Sequence, residues 1–256
     1  MRKFLFVLFT FIVVNTNGQQ HYNHSLFWFR LAISDTINNK LKWEVYLQKR
    51  SQTLPPIDNN IFATPQFNSV WVWFNYNITQ RLKASVSPFG YFESFMLNTK
   101  PSDANFAPIK EFRWAVRVEH ETKGVLNFSS RYTLEYRWRD LHNNGEYLSN
   151  WRIRYMAKLE KPVKGILSKT KPITFILYDE LFLQFGKAVQ NNPNIFDQNR
   201  VYIGASYEPV RNIKLNVGYV WGFQARNSGK EFDNINTYWV ILTLDNFISQ
   251  FVHPKH

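Results

Sequence analysis

Twelve arginine and glutamate residues between positions 111 and 200 are the groups in this sequence whose types and spacing could do chemistry. They are Glu111, Arg113, Arg117, Glu119, Arg131, Glu135, Arg137, Arg139, Arg152, Arg154, Glu180 and Arg200. The planar guanidinium of arginine pairs with carboxylates through two parallel hydrogen bonds. The set therefore allows two interpretations. One is a network of ion pairs that fills and stiffens a closed space, and the other is a narrow water-filled path whose arginine excess selects anions.

The spacing of these charges predicts the elements that position them, because successive side chains of a β-strand point to opposite faces. In the stretch EFRWAVRVEHE, residues 111–121, charged side chains alternate with Phe112, Trp114, Val116 and Val118. The same alternation adds further charges to the polar face, namely Glu44, Arg50, Glu93, Lys158, Glu160 and Glu208. One face of each strand is thus apolar and the other charged.

Eleven segments show this strand pattern. They are residues 26–34, 41–50, 67–78, 81–93, 111–121, 126–139, 151–160, 173–185 and 237–247, together with two strands of a hairpin within residues 199–224. Most have nine or more residues. Soluble strands most often have about 5 to 6 residues, whereas a tilted transmembrane strand needs roughly 9 to 11.

The connections between these segments alternate in length. Short ones fall at residues 34–40, 77–81, 121–124 and 208–212, and long polar ones at 51–66, 98–108, 140–149, 187–197 and 225–233. Such alternation is typical of outer-membrane barrels, with long loops outside the cell, although the connection 161–171 is longer than a periplasmic turn usually is. Trp138, Trp151 and Trp221 lie near strand ends, where an interfacial aromatic girdle would be. The apolar face then meets lipid, but a secreted soluble β-barrel or sandwich would show the same period and remains an alternative.

The N-terminus and the composition set the compartment. Residues 1–18 read as a signal peptide, with basic Arg2 and Lys3 before an apolar run at 4–14 that is too short for a membrane-spanning helix. The chain has 256 residues, 18% of them aromatic, and no cysteine. The prediction is an all-β fold, with residues 19–256 forming one antiparallel up-and-down transmembrane β-barrel. Because closed bacterial barrels have an even number of strands, about twelve are expected, within 10–12, with residues 19–24 the candidate for a further strand or a segment threading the lumen.

Three stretches carry a resemblance to a known family: DELFLQFG at 179–186, FDQNRVYIGASYEP at 196–209 and IKLNVGYVWGFQ at 213–224. With RYTLEYRWR at 131–139 as further support, the chain resembles the outer-membrane β-barrel family of Bacteroidota catalogued as domain of unknown function 2490. The resemblance implies a barrel and an outer-membrane location, and it supplies no activity.

An enzyme is the weaker hypothesis. Asp140, His142 and Ser149 share one expected external loop, so a lipid hydrolase can be imagined, but sharing a loop does not make a nucleophile, base and acid converge. The pairs His21 with His24 and His253 with His256 lack the third and fourth ligands of a zinc site. We therefore expect no catalytic residues, no metal and no cofactor.

The expected function is that of an integral outer-membrane barrel with a charged lumen. It would have a structural or binding role, or allow restricted passage of a small anionic solute. Expected partners are outer-membrane lipid and lipopolysaccharide, and the barrel-assembly machinery, which would read residues 237–247 and the following Phe251. The net charge of +12 is spread singly along strands, which argues against nucleic acid, and a monomer is expected.

Overall fold

Eleven β-strands in a single closed barrel make up most of the structure, a computed structural model that describes residues 20–56 and 58–252. The strands are β1 (Gln20–Thr36), β2 (Leu41–Gln52), β3 (Thr64–Asn77), β4 (Leu82–Ser94), β5 (Ile109–Thr122), β6 (Asn127–Asp140), β7 (Leu148–Val163), β8 (Ile173–Phe185), β9 (Phe196–Val210), β10 (Ile213–Ala225) and β11 (Glu231–Leu244). Two short 3-10 helices, Pro101–Asn105 and Lys187–Val189, lie in connections, and the helix α1 (Ser249–Val252) follows β11. The all-β barrel predicted from the sequence is confirmed.

The barrel closes through a parallel pair of strands. Every neighbouring pair along the chain is antiparallel, whereas β1 and β11 run in the same direction, from Gln20 opposite Glu231 to Ile33 opposite Leu244. An up-and-down barrel with an odd number of strands must close in this way, because its first and last strands point alike. Eleven strands fall within the expected 10–12, but the even number that we favoured is not observed. Residues 20–24 neither form a separate strand nor thread the interior, since they extend β1 along β11.

The alternation of the strands places charge inside the barrel and apolar side chains outside. On β5, Glu111, Arg113 and Arg117 are buried, while Phe112 and Val118 are exposed. The other strands contribute further exposed apolar side chains to the outer wall, among them Val70, Val86, Tyr132, Ile153, Leu177, Ile203, Val217 and Tyr238. The usual distribution of a soluble protein, with apolar residues inside, is therefore inverted.

One prediction of side-chain direction, in β4, was wrong. The sequence pattern placed Glu93 on the charged face and Phe92 on the apolar face, but Phe92 is buried inside the barrel. Glu93 accepts hydrogen bonds from Asn68 and Tyr91. The register of β4 against β5 shifts between Ser87 and Gly90. A bulge adds a residue to one strand, so the inward and outward positions exchange beyond it.

The two ends of the barrel differ in the length of their connections. Residues 53–63, 95–108, 141–147, 186–195 and 226–230 connect strands at one end, called the long-loop end, where β1 also begins. Residues 37–40, 78–81, 123–126 and 211–212 connect them at the other, the short-turn end, where 164–172 is the longer exception expected from the sequence. Among the described residues, no helix has the length and apolar character needed to cross a membrane. The predictions for residues 1–18, for His253 and His256, and for the side chain of Phe251 lie outside what the structure describes.

Candidate functional site

All twelve charged residues singled out in the sequence occupy buried or half-buried positions on β5 to β9. Their neighbours along each strand are mostly apolar and, apart from the buried Asp140 and Asn199, exposed or half-buried. The strand register explains how they meet, because Arg113 lies opposite Arg137 and Glu111 opposite Arg139 in the pair β5–β6. Cross-strand neighbours on one face of a sheet have Cβ atoms about 5 Å apart, within reach of long side chains.

Glu111 is the acceptor for the first cluster. Arg137 donates to it twice, from Nε to Oε1 at 2.7 Å and from Nη2 to Oε2 at 2.8 Å. Arg113 donates from its Nε to Oε1 of the same carboxylate, and the Nε of Arg139 lies 3.6 Å from Oε2. Three guanidiniums thus surround one carboxylate that is almost completely buried.

A second cluster is built on Glu135 and Glu180. Arg152 donates to Glu135 Oε2 from Nε at 2.8 Å and from Nη2 at 2.6 Å. Arg154 joins the two acids, with Nη1 2.6 Å from Glu135 Oε1 and Nη2 2.7 Å from Glu180 Oε1. Arg131 reaches Glu180 at 3.2 Å. Removing a carboxylate that several guanidiniums share leaves buried positive charges without a partner, which should cost about 3 to 5 kcal/mol.

Two more of the predicted residues lie nearer the short-turn end. Arg117 donates to Asn75 Oδ1 at 2.9 Å, and its guanidinium carbon lies 4.2 Å from the centre of the Trp73 ring. Glu119 forms an ion pair with Lys83 at 3.2 Å. Neither residue lines the cavity described next.

A cavity of about 610 Å³ occupies the interior towards the long-loop end. Nine arginines line it, Arg30, Arg50, Arg113, Arg137, Arg139, Arg152, Arg154, Arg200 and Arg226, against two aspartates, Asp197 and Asp233. The three glutamates of the clusters stand behind this lining. Counting them with the two aspartates still leaves an excess of four positive charges around the cavity.

The cavity ends on a layer of packed side chains about halfway along the barrel. Its lining includes Trp71, Arg113, Arg137, Arg200 and Ile235. The next inward positions towards the short-turn end on the same strands are 0–1% exposed, and they are Trp73, Ala115, Glu135, Tyr202 and Thr237. These five side chains are thus almost completely shielded from water. The cavity therefore has the shape of a cup with its floor in the middle of the barrel.

Aromatic rings, rather than acids, hold the arginines on the β1–β2 side of the cup. The guanidinium carbon of Arg50 lies 3.8 Å from the centre of the Trp28 ring and 4.2 Å from that of Phe67. Arg200 lies 5.0 Å from the same Trp28 ring, and Arg30 lies 4.8 Å from Trp239. Arg30 and Arg200 each donate to a glutamine, Gln48 at 3.1 Å and Gln198 at 3.1 Å. In the part of the chain that the structure describes, none of these three arginines is within 4.0 Å of a carboxylate oxygen.

The sequence reasoning missed Arg30 and Arg226 in this lining. Arg30 sits in the stretch LFWFRLAIS, where both faces of the strand are apolar, so that no alternation marks it. The sequence could have placed Arg30 inside the barrel through its spacing of two residues from Trp28, because residues two apart in a strand share a face. Arg226 lies at the strand end and donates to Asp233 at 2.6 Å, beside the 2.8 Å contact between that aspartate and His24 Nε2.

The loop that suggested a hydrolase has a simpler arrangement. The carboxylate of Asp140 accepts hydrogen bonds at 3.1 Å from the backbone N–H groups of Asn144 and Gly145, and so fixes the loop. His142 is exposed at the mouth of the cup, and Ser149 is half-buried on β7. Across residues 20–56 and 58–252, no group of three or more His, Asp or Glu side chains is placed to hold a metal ion.

A closed all-β barrel with a charged interior and an apolar outer wall is the class of protein that these features define. The family model described as "Protein of unknown function (DUF2490)" matches residues 26–233. The chain belongs to this family, which confirms the assignment made from the sequence. Its origin in Bacteroidota remains a prediction.

Two solved structures are similar to this chain at low sequence identity. One is described as "Bacterial polysaccharide outer membrane secretin", with 12% identity and a TM-score of 0.48, and the match covers 81% of this chain and 64% of that one. The other is described as "NanC porin structure in rhombohedral crystal form", with 15% identity and a TM-score of 0.44, covering 81% and 86%. The chain thus spans less than two thirds of the first of these proteins. No curated protein matches it.

Proposed function

We propose that this chain is an integral outer-membrane β-barrel that binds a small anionic solute in the arginine-lined cup and restricts its passage. The observation that carries the proposal is the excess of four positive charges around a cavity of about 610 Å³. Cavities of roughly 300 to 1,000 Å³ are the usual size for small-molecule sites. Uncompensated guanidiniums in such a cavity favour an anion as the occupant.

The outer wall supports the membrane location. Side chains such as Val118, Ile203 and Val217 are 45–62% exposed along the strands, and water is a poor surrounding for a continuous apolar belt of this extent. Trp138 and Trp221 are exposed on the strand halves nearer the long loops, as expected of aromatic residues at a membrane interface. If lipid surrounds the barrel, the apolar side chains of the outer wall are not exposed to water, and the inverted distribution of polar and apolar residues is explained. A secreted soluble barrel would leave this belt in water.

The packed floor of the cup favours binding of a solute over its free diffusion through the barrel. Trp73, Glu135 and Tyr202 would have to move before a solute could pass. Because long loops of outer-membrane barrels lie outside the cell, the cup would open to the exterior. Outer-membrane lipid, lipopolysaccharide and the barrel-assembly machinery are the partners implied, and we propose a monomer.

The test is a calorimetric titration of the detergent-purified barrel at low ionic strength. Sodium phosphate should release or absorb heat with a saturable curve, whereas choline chloride and glucose should give only heats of dilution. Added salt should weaken the phosphate isotherm, because charge attraction is screened. Saturable binding of choline or glucose, with none of phosphate, would contradict the proposal.

A further inference from the structure

We infer that the anion binds to Arg30, Arg50 and Arg200 around the indole of Trp28, and that it is a compact molecule with at least two oxyanion groups. This inference rests on the proposed function and names the site and the class of its ligand. The oxyanions are carboxylates or phosphates, which the guanidinium fork binds alike.

Six of the arginines that line the cup fall into two groups by partner. Arg137, Arg152 and Arg154 each place two or more nitrogen atoms on a carboxylate at 2.6–3.1 Å, so most of their donors and their charge are already used. Arg30, Arg50 and Arg200 have rings and glutamine oxygens as partners instead. The first group holds the barrel together, and the second keeps its charge available.

A ring is a different kind of partner from a carboxylate. Stacking on the face of an aromatic ring fixes the plane of a guanidinium and leaves the N–H groups at its edge free. The Nε atoms of Arg30 and Arg50 are buried and have no hydrogen-bond partner, and the same is true of the Nε2 atom of Gln48 beside them. Buried donors are nearly always satisfied in native proteins, by protein, water or a ligand. The protein itself therefore supplies no acceptor for three donors on this wall of the cup.

The charges around Arg50 determine how many acceptors are needed. Arg200, Arg30, Arg113 and Arg152 line the same cavity as Arg50. Arg113 and Arg152 have acidic partners, but Arg30 and Arg200 have no ion pair of their own among the described residues. One negative charge cannot balance three such guanidiniums. A molecule with two or more oxyanions can, and the cavity is large enough to hold it.

The experiment is a calorimetric titration of the detergent-purified barrel and three variants with citrate, pyrophosphate and acetate. Wild type should bind citrate or pyrophosphate at least roughly tenfold more tightly than acetate, since each further charged hydrogen bond contributes about that factor. Arg50→Gln and Arg200→Gln should each weaken this binding by roughly tenfold or more. Lys49→Gln is the matched control, because it removes a positive charge one residue from Arg50 on the exposed outer wall, and its affinity should stay within about twofold of wild type.

Four outcomes are decisive. If citrate and pyrophosphate bind to wild type and equally well to Arg50→Gln and Arg200→Gln, the site is wrong while the proposed function stands. If acetate binds as tightly as citrate, the requirement for two oxyanions is wrong. If wild type binds no anion of the series, the proposed function itself fails. A preference for citrate over pyrophosphate, or the reverse, identifies which oxyanion the site takes.

Arg50→Lys replaces Arg50→Gln if the latter gives no heat-modifiable folded band. Because lysine keeps the charge but not the planar fork, the affinity for citrate should still fall.

Discussion

Arg137 and Glu111 form a two-pronged ion pair across β5 and β6, with Nε 2.7 Å from Oε1 and Nη2 2.8 Å from Oε2. Both side chains are almost fully buried. The pair lies where a soluble protein would have its apolar core. Each buried charge of the pair is compensated by the other, so that removing one leaves the other unpaired.

Glu111→Gln should lower the free energy of unfolding by about 3 to 5 kcal/mol, because it leaves Arg137 and Arg113 buried without their acceptor charge. Urea unfolding of the barrel in lipid vesicles, followed by tryptophan fluorescence, measures this. Glu146→Gln is the control, since its side chain is exposed in a loop and its effect should stay within about 0.5 kcal/mol. Equal stability of the two variants would show that the interior network is not what stiffens the barrel.

Ile203→Arg should destabilise the folded barrel in lipid by about 2 to 4 kcal/mol, since it places a charge on the outer wall at mid-strand. The control is Val125→Arg, which changes an exposed residue in a turn and should fold as wild type does. Folding yield in lipid vesicles compares them. If Ile203→Arg folds as well as Val125→Arg, lipid does not contact this wall.

Gly204→Ala should destabilise the barrel by about 1 to 3 kcal/mol, through overpacking of the floor of the cup. A Cβ at Gly204 would overlap the hydroxyl of Tyr202 and lie 2.6 Å from the carbonyl oxygen of Val217. Gly222→Ala is the matched control on the neighbouring strand, because its new Cβ would lie 3.4 Å from the nearest atom. Thermal unfolding of both variants should separate them, and equal melting temperatures would mean that Tyr202 is not fixed in place.

Asp103 should respond to acid in the loop at the long-loop end. Burial alone would raise the pKa of Asp103, but hydrogen bonds from the N–H and hydroxyl of Thr99 at 2.8 Å and from the N–H of Lys100 at 3.1 Å outweigh it, and the pKa is lowered. Its stabilisation of the loop is therefore present above the unfolded pKa of about 3.9 and is lost as the pH falls through the lowered folded value. The NMR shift of the Thr99 amide should titrate with a midpoint below about 3.9. Asp103→Asn should abolish that titration. A midpoint above about 3.9 would contradict the lowered pKa of Asp103.

Period-two alternation was sufficient to predict most of the barrel. It assigned Glu111, Arg113 and Arg137 to one face because strand geometry depends on local chain direction alone. It failed at Glu93, because a bulge near Gly90 changes the parity of β4 without any pattern in the charges. The same alternation gave eleven strand segments, which is the observed number. Only the rule of even strand numbers raised the expectation to about twelve, and this barrel closes instead through the parallel pair β1 and β11.

The candidate site was less predictable than the fold. The sequence placed Arg50 on the polar face. It could not show that the partners of Arg50 are the rings of Trp28 and Phe67, which lie on two other strands. Arg137 and Arg131 belong to the arginine excess that the sequence offered for selecting anions, but they are paired with Glu111 and Glu180. Which acid each arginine contacts depends on how several strands are aligned in the closed barrel. Local sequence patterns do not show that alignment.

The most direct test of the account is where the native protein is found and whether it forms a closed barrel. Membranes of the source cell are fractionated, the protein is purified in detergent, and its gel mobility is compared with and without heating. We expect recovery with the outer membrane and a band that shifts on heating. Recovery in the soluble fraction without detergent, with no shift, would contradict it, because the apolar wall would then face something other than lipid.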